Sequence, residues 1–354
     1  MVRRRRTRFI DVVIGLLLFR WARALFRKSG PEADACEEPE VDQSAQPSRD
    51  ASERVPLPDF RPVVIDQPIV EFEPKPSAHD MEYRPDFLCD GWSSDTAMVR
   101  LASVRGYSHR YRGVPRQDDA VAVAYPPTGA VVFAVADGVS SAPYAHIGAT
   151  RACRTVVGLL LRQLGSGAAA GWPEVIGDTA WHLVEYASRL PGVEGSNSAA
   201  AERLLATTLV AGVVTPAGDD LGVEAVQIGD SGAWLLDSRG YRPVLGSKTG
   251  DGDVVVPNAV QPLPRVPAAV LPQRFRVTRG EVLLVGTDGF GDPLGDGQGQ
   301  VGQLFTRLLC RPSWPSPLEF AHVLDFSRET FDDDRTLLAI RPRQSVRGKA
   351  NGNG

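Results

Sequence analysis

The sequence predicts an α+β domain in which antiparallel sheets are covered by helices. Strand-like apolar runs follow one another with only a few turn residues between them, and such short connections suit antiparallel pairing. Helix-like stretches come in consecutive blocks between groups of strands, where a doubly wound parallel sheet would alternate the two. Both patterns fall between about Thr96 and Arg343.

Taken in order, the predicted strands are AVAVAY (120–125), AVVFAVA (130–136), TTLVAGVV (207–214), VEAVQIG (223–229), GAWLLD (232–237), EVLLVGT (281–287) and TLLAIRP (336–342). Each is a short run rich in β-branched and apolar residues, bounded by turn-forming ones. The predicted helices are 145–164, 172–190 and 316–329, where apolar residues recur at helical spacing. The Pro- and Gly-rich stretch from Gly246 to Arg276 reads as a loop, and no internal repeat is present.

The flanks differ from this core. Residues 1–28 have a basic start, an apolar run from Val12 to Phe19 and a basic end. That run is too short to span a bilayer, which needs about 20 residues. As a helix it sets Arg20, Arg23 and Arg27 on one face, which fits an interfacial helix with arginines toward anionic headgroups. The segment also fits a signal peptide, with "ARA" at 22–24 as the cleavage site, a helix that docks on a partner, or translated sequence ahead of the true start. Residues 29–95, rich in Pro, Glu, Asp and Ser, read as a disordered linker in which 60–74 has some strand character. Residues 346–354 read as a disordered tail.

Composition narrows the function. The 354 residues are 43% hydrophobic and 23% charged, enough for a sizeable core, and a net charge of −4 gives no reason to expect nucleic acid. Four scattered cysteines argue against a zinc site or a disulfide framework and make a reducing cytoplasm the easier setting. Five histidines, none paired at helical spacing, leave oxygen as the donor for any metal.

Carboxylates recur at strand ends. Asp118-Asp119 precedes the strand at 120, Asp137-Gly138 follows the one ending at 136, and Asp230 follows 223–229. Asp288-Gly289 follows 281–287, and Asp332-Asp333-Asp334 precedes 336–342. One such aspartate is usually a turn or a helix cap. Five acidic positions beside five core strands repel one another unless neutralised, and a hard divalent cation such as Mg²⁺ or Mn²⁺ is the natural neutraliser.

In this order the blocks RQDDA, VADGVSS, TTLVAGVV, IGDSGAWLL, VGTDGFGD and DDDRTLLAI resemble the metal-dependent type 2C (PPM-type) protein serine/threonine phosphatases, bacterial members in particular, over about residues 97–342. The resemblance implies two antiparallel sheets packed as a sandwich with flanking helices, and a two-metal centre. Asp137 would bridge both ions, the Gly138 carbonyl would ligate one, and Asp288 and Asp333 would bind the second. Asp118, with Asp119 beside it, would be the next ligand, in a register uncertain by one residue, and Asp230 matches a position that helps hold a third ion. Phosphoserine or phosphothreonine in proteins would be hydrolysed by a hydroxide held between the metals, opposing a serine/threonine kinase, with a monomeric catalytic domain. Arg112 and Arg116 are the candidates for the phosphate-binding arginine, the family's strict position being Val114 here. Ser140-Ser141 and Val139 replace the family's glycines and the eukaryotic histidine, and Gly232 stands in the place of an arginine. These departures support a second reading, a catalytically weak regulatory or binding module. Cys153 and Cys310 are expected to be structural, since the chemistry needs no covalent intermediate.

Overall fold

A computed structural model describes residues 59–77, 82–246 and 261–343. The N-terminal segment 1–28, residues 29–58 of the stretch 29–95 read as linker, and the 346–354 tail lie outside the described residues. Among the described residues eleven strands form two sheets, every ladder antiparallel. The six-stranded sheet has the order β1 (Phe87–Ser93), β2 (Ala97–Val104), β11 (Arg335–Pro342), β10 (Val282–Gly286), β7 (Gly232–Asp237) and β8 (Gly240–Leu245). The five-stranded sheet has the order β3 (Asp119–Tyr125), β4 (Ala130–Ala136), β5 (Leu209–Ala217), β6 (Asp220–Ile228) and β9 (Gln273–Val277).

The seven described helices are α1 (Tyr107–Arg112), α2 (Ala145–Gly165), α3 (Trp172–Ala187), α4 (Ser198–Leu205), α5 (Asp288–Leu294), α6 (Gln300–Leu309) and α7 (Pro317–Leu324). Helices α2 and α3 cover the outer face of the five-stranded sheet, where Val156, Leu160, Ile176 and Leu183 meet Val132, Ala134, Leu209 and Ala211. Helices α5–α7 cover the six-stranded sheet through Phe290, Phe305, Phe320 and Leu324. Between the sheets, Val131, Phe133 and Val135 of β4 pack with Leu283, Val285, Leu338 and Ile340. Strand β4 is therefore buried on both faces, which is why its sequence is apolar throughout and does not alternate.

The sequence reading places the domain boundary at residue 96, and the structure moves it. Phe87–Ser93 pairs with β2 along its whole length, and Ile65 is buried, held by a backbone bond from its N–H to the Ser327 carbonyl. Both fall in the stretch read as linker, because a short edge segment next to prolines and acids has little local strand signal. Gln273–Val277, at the end of the stretch read as a loop, is likewise an edge strand on β6. Helix α5 was not legible because it holds two glycines and Pro293 in seven residues. Cys153 is buried as expected, whereas Cys310 is exposed at the end of α6. Among the described residues no helix is long and apolar enough to cross a membrane.

Candidate active site

The two sheets bring four of the strand-end carboxylates to one place. In the β3–β4 ladder Asp119 lies opposite Ala136, so Asp118 and Asp137 are neighbours across the open end of the pair. In the β10–β11 ladder Gly286 lies opposite Leu337, which sets Asp288 and Asp333 at the corresponding end of the other sheet. Asp118 crosses between the sheets: its Oδ2 accepts 2.8 Å hydrogen bonds from the Thr287 and Thr336 hydroxyls. The Asp288 carboxyl is a near neighbour of that of Asp137.

The backbone at Asp137 is fixed on both sides. Its N–H donates to the Thr208 hydroxyl at 2.9 Å, and its carbonyl accepts from the Thr207 hydroxyl and the Thr208 N–H, both at 2.8 Å. The glycines beside these acids serve close packing. A Cβ on Gly138 would meet the Ala145 backbone at 2.8 Å, where α2 begins. A Cβ on Gly289 would overlap the Asp334 carbonyl, and one on Gly106 would overlap the backbone of Asp332 and Asp333. The two Asp-Gly pairs thus mark places where another chain segment presses on the strand end, and the turn reading of Asp-Gly does not hold here.

Burial and the neighbouring Asp334 and Asp333 hold the Asp118 carboxyl well above the usual range. Burial, then Asp118 and Asp288, do the same to Asp137. Asp333 is also raised, by burial and by Asp334. Among the described residues Asp118, Asp137 and Asp288 make no ion pair. A group of carboxylates crowded together without a counter-charge, with oxygen donors only, fits a hard divalent cation.

Each pair of adjacent acids is split. Asp333 is half exposed at the cluster, with side-chain exposure of 55%. Asp334 turns inward, accepting from the N–H of Gly106 at 2.6 Å and of Gln117 at 2.5 Å, with His109 Nδ1 2.9 Å away. Burial pushes Asp334 up, yet the His109 pair and the two N–H donors hold it below the usual range. His109 carries the reverse shift: burial lowers it, Asp334 and Asp333 raise it, and the net is upward. His109, Asp333 and Asp334 lie close enough together to hold an ion, but the Asp334 oxygens are already committed. Similarly, Asp118 faces the cluster while Asp119 faces away, its Oδ2 taking a 3.0 Å ion pair from Arg84. The expectation that Asp119 joins the ligands is therefore corrected: strand alternation points it at α2.

Asp230 lines a cavity of about 410 Å³ that it shares with Asp288 of the four, together with Thr287, Trp234 and Tyr241. The same cavity takes in Asp292, one helical turn after Asp288 and legible in principle from that i, i+4 spacing. Of the two arginine candidates, Arg116 is buried with its donors committed to the Pro85 carbonyl, the Ser103 hydroxyl and the Asp118 carbonyl. Burial lowers its pKa to about 10, and no face of it is left for a substrate. Arg112 is exposed at the end of α1, with its Nε on the Ser108 carbonyl at 3.3 Å. Of the orienting residues, Thr207, Thr208, Thr287 and Thr336 lie inside the quoted blocks TTLVAGVV, VGTDGFGD and DDDRTLLAI, but their roles arise from contacts across the sheets, and His109 carries no sequence signal of its own.

A family model described as protein phosphatase 2C matches residues 105–316, more than half of the chain. The chain belongs to the protein phosphatase 2C family. This membership agrees with the two-sheet architecture and with the strand-end carboxylates lying inside or just beyond the matched stretch. Similar solved structures include RsbX in complex with magnesium, at 12% identity over 72% of this chain and 100% of that one, with a TM-score of 0.45. The catalytic domain of PstP in complex with two manganese ions is 17% identical over 70% and 99%, with a TM-score of 0.45. The Mycobacterium tuberculosis serine/threonine phosphatase PstP/Ppp is 16% identical over 70% and 100%, with a TM-score of 0.46. No curated protein sequence matches the chain.

Proposed function

We propose that this member of the protein phosphatase 2C family hydrolyses phosphoserine and phosphothreonine in proteins, acting against a serine/threonine kinase. The observation that carries the reading is the convergence of Asp118, Asp137, Asp288 and Asp333 from two sheets with no cation paired to the first three. These four carboxylates would hold two Mn²⁺ or Mg²⁺ ions, with the Gly138 carbonyl as a further donor and Asp230 on a third. When bound, such ions neutralise charge on the phosphoryl oxygens and make water acidic enough to attack at neutral pH.

The chain's own groups do the rest. The Thr287 and Thr336 hydroxyls aim Asp118, and the Thr207–Thr208 pair anchors Asp137, so the carboxylates are set before ligands arrive. Arg112, exposed on α1 one turn from His109, is the arginine available to the substrate phosphoryl group. Cys153 is buried and its thiol is pushed well up by burial and by Asp119, so it plays no nucleophilic part. The basic N-terminal segment would bring the domain to a membrane surface and raise its effective concentration against phosphoproteins there.

The test is phosphate release from a phosphothreonine peptide by the full chain, with Mn²⁺ and then with EDTA, beside Asp137→Asn. Turnover that needs the metal and vanishes in the variant supports the enzyme. Folded protein that binds Mn²⁺ without turnover would favour the regulatory module instead, a reading that the serines at 140 and 141 keep in view.

A further inference from the structure

We propose that Arg84 is a positioning residue for the metal centre, holding Asp118 in place from a segment that precedes the family-matched residues. This rests on the reading that Asp118 is a metal ligand. Arg84 lies 21 residues before the start of the 105–316 match, within the stretch that composition marks as linker. Its side chain is nonetheless 8% exposed and its guanidinium is spread over three residues, two at the start of β3 and one on α2. Nη1 donates to Asp119 Oδ2 at 3.0 Å and to the Thr150 hydroxyl of α2, while Nη2 donates to the Asp118 carbonyl at 2.5 Å. The segment is pinned on either side, by Glu82 on Arg151 at 2.7 Å and by Asp86 on Arg105 at 3.0 Å.

These contacts join the two carriers of the site. The Asp118 carbonyl belongs to the residue whose carboxylate faces Asp137, and α2 is the helix whose first turn packs on Gly138. Arg116 also donates to the Asp118 carbonyl, at 2.8 Å, but Arg84 alone of the two ties it to α2 through Thr150. The link uses two nitrogens of a rigid planar fork, Nη1 for Asp119 and Thr150 and Nη2 for Asp118, whereas a lysine would have to serve all three acceptors from a single nitrogen.

A bland alternative is that Arg84 only neutralises the buried Asp119. Charge-balanced variants of the full chain separate the two, read by calorimetric Mn²⁺ titration with urea midpoints as a fold control. Asp119→Asn is expected to bind Mn²⁺ like the parent. Arg84→Met/Asp119→Asn, equally free of a buried lone charge, is expected to bind about 10-fold more weakly, as for loss of a group that orients a metal-ligating carboxylate. Arg84→Lys, which keeps the charge beside Asp119 but loses the fork, is expected to weaken binding too, and it serves if the double variant does not fold. Equal Mn²⁺ affinity of Asp119→Asn and the double variant, or parental affinity in Arg84→Lys, would overturn the positioning role. Asp118→Asn is the separate control: if it leaves Mn²⁺ binding intact, the metal-site reading itself fails.

Discussion

Replacing Asp334 by alanine is expected to destabilise the metal-free protein more than any other single change at the site. The carboxylate is 2% exposed and is met by the N–H of Gly106 at 2.6 Å, the N–H of Gln117 at 2.5 Å and His109 Nδ1 at 2.9 Å. Breaking a buried ion pair from one side costs about 3–5 kcal/mol, and each orphaned buried N–H about 1–3 kcal/mol, partly regained if water enters, so about 4–6 kcal/mol is expected. For a domain of this size that lowers Tm by about 10–20 °C. Asparagine keeps one acceptor oxygen without the charge and should cost about half as much. The pH dependence has a defined sign. Asp334 is depressed in the folded state, so its contribution is present above the unfolded carboxylate value and lost as pH falls through the folded one. His109 is raised, so its contribution is complete below the unfolded histidine value and lost as pH rises through the folded one. The gap between parent and Asp334→Ala should be widest between about pH 4 and 6.5. Urea denaturation in EDTA across that range measures it. A gap under about 1 kcal/mol would refute the assignment of Asp334 as the buried tie between α1, the Gln117 loop and β11.

The remaining expectations concern the carboxylates, a glycine and the arginines. Asp118 and Asp137 have raised pKa values, so in EDTA the parent should lose stability as pH rises through them, and Asp137→Asn should blunt that loss while abolishing turnover; a parent stability that rises over the same range would contradict the cluster. Gly289→Ala places a methyl on the Asp334 carbonyl, so it should cost about 1–3 kcal/mol and weaken Mn²⁺ binding, measurable by thermal melting and titration; parental values for both would show that the contact relaxes freely. Arg112→Ala should raise KM for a phosphopeptide with Tm unchanged, whereas Arg116→Met should lower Tm, and the reverse pattern in steady-state kinetics and melting curves would exchange their roles.

Much of this protein was legible before any coordinates. A strand signal is local: β4 and β7 were bounded to the residue from runs of apolar and β-branched side chains, and the aspartates at their ends stood out because a charge next to a buried strand needs a reason. The weak elements were those whose stability comes from elsewhere. Strand β1 is held by β2 and by the helix packed beneath it, and α5 by the aromatic contacts of Phe290 with Trp234 and Phe305.

By itself the sequence determined that carboxylates crowd the ends of core strands, and hence that an oxygen-donor metal site was in question. It could not determine which carboxylates face one another. Adjacent residues on extended chain point to opposite sides, so Asp118-Asp119 and Asp333-Asp334 each offer two choices that composition and spacing cannot separate. Only the tertiary structure decided. Pairing of β3 with β4 and of β10 with β11 turned Asp118 and Asp333 into the cluster, and packing against Arg84 and His109 claimed Asp119 and Asp334 for the protein's interior.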